Sequence, residues 1–268
     1  MKRFLLISIL VYALNFVTHS SAEPSRAQPS SLWLEKLTSP EVQTAIDNGY
    51  TQIIIPTGGI EQNGPFVELG KHNLIVTHLS ELIAKNLAQT LIAPVVKYVP
   101  EGEISPPQGH MKFAGTISLK PSIFTATILE ICRSLTQHGF KKIILIGDSY
   151  DNQKPLNEVE KIWKQQAANP QQSRVIYIPE YYNYQAIEGL LDRKGIKRVK
   201  ENFHDSLPFS LQLLVIEPSA VRSEQRIKAN NFQIEGVNLL PIEKFIALGQ
   251  EIIDFRAQET VNAIRNRN

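Results

Sequence analysis

A chain of 268 residues, 43% of them hydrophobic, carries enough apolar side chain to bury one substantial core, so a single domain is expected. Only 20% of the residues are charged and the formal net charge is +2, which gives no argument for nucleic acid or for an anionic membrane surface as a partner.

Taken in chain order, the first segment reads as a signal peptide, residues 1–22. Lys2 and Arg3 form a positive start, residues 4–17 an apolar stretch, and Ser20-Ser21-Ala22 a small-residue cleavage site. The apolar stretch is short for a membrane span and polar His19-Ser20-Ser21 follows it, so cleavage is expected rather than retention as an anchor. The expected product is exported, periplasmic or secreted, without membrane attachment. Cys132, the only cysteine, falls on the apolar face of a helical pattern and is expected in the core.

Residues 23–36 read as a polar, mobile leader and residues 37–268 as an α/β domain. Ser39-Pro40-Glu41 has the pattern of a helix start, with proline at the first helical position. A buried strand is expected at 51–55, where Ile53-Ile54-Ile55 is a β-branched run, and a helix at 73–89. An extended segment at 92–99 and a short strand at 116–119 flank a long loop, residues 100–114. A helix at 122–138 closes on Gly139, and residues 141–147 are the clearest buried strand. A helix at 156–168, a strand at 174–178, irregular chain to His204, and helices at 208–215 and 242–265 complete the reading. Short apolar strands alternating with amphipathic helices predict a three-layer αβα sandwich around a mainly parallel sheet.

Two loops collect the polar groups. The first runs from Pro56 through Gly58, Gly59, Gly64 and Pro65, and carries Glu61, Asn63 and His72. It lies just past the carboxyl end of a buried strand, where open α/β sheets place ligands. Asp148-Ser149-Tyr150-Asp151 occupies the equivalent place after the central strand. The 100–114 loop carries Glu101, Glu103 and His110.

These residues also carry a resemblance. Pro56-Thr57-Gly58-Gly59-Ile60-Glu61-Gln62-Asn63-Gly64-Pro65 resembles the first signature of the creatininase family. Phe113-Ala114-Gly115-Thr116-Ile117-Ser118-Leu119, Gly139-Phe140, and His204 with Ser210, Pro218, Val221 and Arg222 resemble later segments of it. The resemblance implies a metal-dependent amidohydrolase that acts on a carbon–nitrogen bond of a small molecule, and it implies a homo-oligomer, often a hexamer. Carried over position by position, the family's ligand glutamate is kept as Glu61, but Asn63 stands at the next histidine. His72 takes the place of the bridging aspartate, and Ser149 that of the histidine after the central strand, with Asp151 at the acid two residues on. A bridging carboxylate is what holds two cations close together. The implied cofactor is therefore at most one divalent ion, zinc or manganese, held by Glu61, His72 and Asp151, or none.

On this reading His204 moves a proton between water and leaving nitrogen, His110 also serves catalysis, and Asn63, Ser149 and Asp148 contact substrate or support the ligands. Plainer roles stand beside these. Glu61 pairs with Lys71 or caps a helix, His110 bonds backbone, and Asp148 and Asp151 anchor the turn after their strand. Two other functions remain open: an exported binding protein that has lost the reaction, and a serine hydrolase using Ser149. The second lacks the nucleophile-elbow pattern, because Asp151 stands at its last glycine.

Overall fold

The computed structural model describes residues 28–166, 173–199 and 205–267. The expected signal peptide and His204 lie outside them. The first elements are α1 (Ser39–Asp47), β1 (Gln52–Thr57), α2 (Lys71–Leu87), β2 (Thr90–Ile92) and α3 (Pro121–Gln137). After these come β3 (Lys142–Gly147), α4 (Gln153–Gln166), β4 (Arg174–Tyr177), α5 (Tyr184–Arg193), α6 (Leu207–Ile216) and α7 (Ser223–Lys228). A two-residue hairpin, β5 (Gln233–Ile234) and β6 (Val237–Asn238), precedes the long α8 (Glu243–Asn266).

The sheet is parallel, in the order β2-β1-β3-β4. Strand residues alternate between two cores, as the twofold side-chain period requires. Ile54, Ile144, Ile146 and Ile176 face the core that contains the apolar faces of α2, α5, α6 and α8. Ile53, Ile55, Ile143, Leu145 and Val175 face the other, which holds those of α3 and α4 together with Ala45 of α1 and Cys132. The result is the expected three-layer αβα sandwich.

The connections place the site. The chain leaves β1 toward β2 on one side and β3 toward β4 on the other, with α2 on one face and α4 on the opposite face. A crevice therefore opens past the carboxyl ends of β1 and β3, at the point where the strand order reverses.

The structure differs from the sequence reading in several places. Helix α1 is capped by Thr38, not Ser39, and Thr38 and Glu41 form a reciprocal capping box. Helix α2 begins two residues early, so Lys71 and His72 sit in its first turn. The extended segment 92–99 pairs regularly only up to Ile92, and 116–119 contributes isolated bridges in place of a strand. The stretch read as irregular contains α5, capped by Asn183, whose side chain accepts from the Ala186 N–H at 3.2 Å.

Candidate active site

The loop after β1 is shaped by two close approaches. Asn73, in the first turn of α2, clamps Gly59 by accepting from its N–H at 3.1 Å and donating to its carbonyl at 2.9 Å. A Cβ at Gly58 would lie 2.1 Å from Asn73 Oδ1, and one at Gly59 would lie 2.0 Å from Glu101 Oε1. Both glycines are required by contact. The clamp turns Glu61 inward over the carboxyl ends of the strands.

Glu61 is the hub of the site. Its Oε1 lies 2.8 Å from His72 Nε2 and 3.3 Å from Lys71 Nζ, and its Oε2 lies 3.3 Å from His110 Nε2. Gln62 donates its side-chain N–H to His110 Nδ1 at 3.2 Å, which leaves the His110 proton on Nε2, directed at Glu61. His72 is held on its other side by Asp148, whose Oδ2 is 2.8 Å from Nδ1. With a carboxylate at each nitrogen, the ring carries both protons. Burial and neighbouring Lys71 work against this charge, but the two carboxylates outweigh them and the His72 pKa is raised.

Asp148 is fully buried and has three partners. Besides His72, its Oδ1 accepts from Arg256 Nη2 of α8 at 2.7 Å and from the Tyr181 hydroxyl at 2.9 Å. Burial alone would raise its pKa, yet the Arg256 guanidinium and His72 bring it below the ordinary value.

Glu101 supplies a second carboxyl. Its Oε2 accepts from the Ser149 hydroxyl at 3.0 Å, and its Oε1 is buried without a hydrogen-bond partner. Burial first, then the charge of Glu61, push the Glu101 pKa up to about 10, so this carboxyl stays protonated near neutral pH. Two adjacent carboxyl groups thus differ in protonation, the arrangement that separates a base from an acid.

These groups line a cavity of about 370 Å³, closed on other sides by Asp151, Tyr182, Tyr184, Ser206 and Phe209. Phe209 packs edge-on against His72, with ring centroids 5.2 Å apart, and the Lys71 ammonium sits 5.1 Å from the Phe209 ring centre. A larger cavity of about 1010 Å³ lies beside it, bordered by α3 and α4, and shares Tyr150 and Asp151 with it.

Of the residues singled out from sequence, Glu61, His72, His110, Ser149 and Asp151 line the smaller cavity, and Asp148 lies directly behind His72. Asn63, expected to contact substrate or to support the ligands, is turned into its own loop and holds the backbone of Glu61. Its amide donates to the carbonyls of Glu61 at 2.9 Å and Glu68 at 2.8 Å. Sequence reasoning did not single out Lys71, Glu101 or Arg256 for the site. Arg256 carried a signal, since it stands within the apolar stripe of α8 beside Ile252, Ile253 and Ala257.

The expected metal set does not fit this arrangement. Both nitrogens of His72 face carboxylates at 2.8 Å, so an ion would have to displace one of these contacts and its proton. The Lys71 ammonium already sits on Glu61. Beside it, a cation about 4 Å away meets about 4 kcal/mol of repulsion per unit charge at an effective dielectric near 20, doubled for a divalent ion. Among the described residues no group of three or more His, Cys, Asp or Glu side chains is placed to hold a metal.

Comparison with known proteins places the chain. The family model described as creatinine amidohydrolase matches residues 35–237. A creatinine amidohydrolase of Pseudomonas putida is 26% identical over 122 residues, 46% of each chain. A mycofactocin precursor peptide peptidase of Mycobacterium tuberculosis is 32% identical over 91 residues, 31% of this chain and 34% of its own. The matches span less than half the length of these curated relatives. Among solved structures, one described as creatininase Mn covers 88% of this chain and 98% of its own, at 18% identity and a TM-score of 0.64. A mutant creatininase described as Zn-Zn type matches over the same shares, at 17% identity and a TM-score of 0.64. At these identities the likeness speaks for the fold.

Proposed function

Because this chain belongs to the creatininase family, we propose that it is a hydrolase of a carbon–nitrogen bond, an amide, in a small molecule. The observation that carries the reading is the pair of carboxyl groups lining one cavity, Glu61 engaged by Lys71 and His72 and Glu101 held protonated.

In the proposed step Glu61 takes a proton from water as the water oxygen bonds the amide carbon. Glu101 gives its proton to the nitrogen as the C–N bond breaks. Transfer of the proton from Glu61 back to Glu101 then resets the pair. General acid and base groups placed in this way contribute about 10² to 10⁴ in rate each. His110 orients Glu61, and in this step the two carboxyls take the proton-moving role expected of His204. No step is routed through a metal ion, because the donor set does not fit one. Export through the amino-terminal segment and homo-oligomer formation belong to the same reading.

The test is a screen of linear and cyclic amides beside Glu101→Gln, which keeps the shape but has no carboxyl proton to give. A fall in kcat of about 10² or more with KM little changed is the expected result. Unchanged turnover in the variant would remove Glu101 as the acid.

A second reading, a binding protein without turnover, is favoured by one observation: Glu61 is already engaged by Lys71, His72 and His110. Amide binding without hydrolysis in the same screen would select it.

A further inference from the structure

The cation set of this cavity is built from protein. We propose that the buried Lys71 ammonium, seated on Glu61 at the start of α2, supplies the positive charge that a divalent ion would otherwise bring to that carboxylate, and that the folded protein is metal-independent.

Lysine is among the residues least often buried, and here Lys71 is 1% exposed. Its ammonium reaches the same oxygen of Glu61 that His72 contacts, at 3.3 Å against 2.8 Å, and lies over the face of Phe209. Lys71 and His72 thus converge on one carboxylate oxygen, inside a cavity also lined by Glu101, His110 and Asp151. The aromatic face of Phe209 completes the lysine site, because its ring attracts an ammonium and offers no ligand to a metal. Asp148 fixes the His72 ring from behind, and Arg256 balances Asp148 in turn. The solved creatininases described as Mn and Zn-Zn types share the fold but under a fifth of the sequence, so their ions set no expectation for this wall.

The inference concerns the electrostatics of the proposed active site, and its readout is metal binding, separate from turnover. The full chain, purified without a histidine tag, is dialysed against zinc or manganese, returned to metal-free buffer and analysed for bound metal. The expected result is far less than one equivalent, with a melting midpoint that neither EDTA nor added zinc moves. Lys71→Met should raise zinc affinity by about tenfold or more, because it removes the competing charge. Lys71→Arg, which keeps the charge, should remain metal-free. One equivalent or more of zinc or manganese in the wild-type chain, lost on His72→Ala, would overturn the proposal. The wild-type analysis decides even if Lys71→Met does not fold. Amide turnover, measured separately in metal-free buffer, bears on the hydrolase reading alone.

Discussion

Arg256 reaches Asp148 across 108 residues of chain, and the two side chains meet at 2.7 Å with both of them buried. The contact fastens α8 to the carboxyl end of β3. It also keeps Asp148 ionised, although burial opposes that charge. His72 is oriented by the same carboxylate, so the position of the imidazole depends on a helix far from it in sequence.

Replacing Arg256 with Met leaves the buried Asp148 carboxylate short of one cation. The expected loss is about 3–5 kcal/mol, the range for breaking a buried ion pair from one side. Urea unfolding would measure it. A loss below about 1 kcal/mol would mean that the other partners of Asp148 suffice. A paired replacement, Arg256→Met with Asp148→Asn, should recover part of the loss.

Stability should fall as pH rises. Glu101 is raised from 4.5 to about 10, so the native state holds a proton that the unfolded chain has lost. Its contribution is full below about 4.5 and drains away up to about 10. His72 is also raised above its ordinary 6.5, so its contribution is complete below that value and is lost as pH climbs through the folded pKa. Glu101→Gln should flatten this decline and gain stability relative to wild type at alkaline pH. Urea midpoints of both proteins on either side of neutrality would check it, and parallel curves would exclude Glu101 as the source.

Gly59→Ala tests the packing behind Glu101. The added methyl would lie 2.0 Å from Glu101 Oε1, so the carboxyl must move. About 1–3 kcal/mol of stability should be lost, as for overpacked cores. Turnover should fall with it through Glu101, while Gly70→Ala, where the nearest atom is 3.6 Å away, should be mild.

Ser149→Ala separates the serine reading from the carboxyl reading. The Ser149 hydroxyl donates to Glu101 and is buried, so its loss should reduce the rate by about tenfold at most. A serine-directed phosphonate should leave the protein unlabelled. Complete loss of activity together with labelling would establish Ser149 as a nucleophile.

The sandwich and the place of the site were legible in the sequence because both rest on short-range pattern. Ile53–Ile55 and Ile143–Ile146 announce buried strands, and the polar residues just beyond them announce the crevice. Lys71 was not legible as part of the wall. Lysine is ordinarily solvated, and only the early start of α2 rotates it inward. Glu101 stands in a loop with one other acid, Glu103, and nothing local to it reveals that burial keeps it protonated. Asn63 misled in the opposite direction, because a polar residue two places after a ligand position is as useful to a loop's own backbone as to a substrate. Helix α5 went unread although Ile187, Leu190 and Leu191 share its buried face, since Gly189 and the preceding tyrosines and asparagine blur the pattern.

The family match ends at residue 237, and α8 begins at Glu243. Arg256 therefore lies past the boundary of the family match, while its guanidinium holds the carboxylate that orients His72. A chimera that kept residues 35–237 and took a last helix without an arginine at this place would retain the signature loops and lose the counterion of Asp148. The unit that can be exchanged between such proteins without damage includes the final helix, and an inheritance judged by the signature alone is too short by that element.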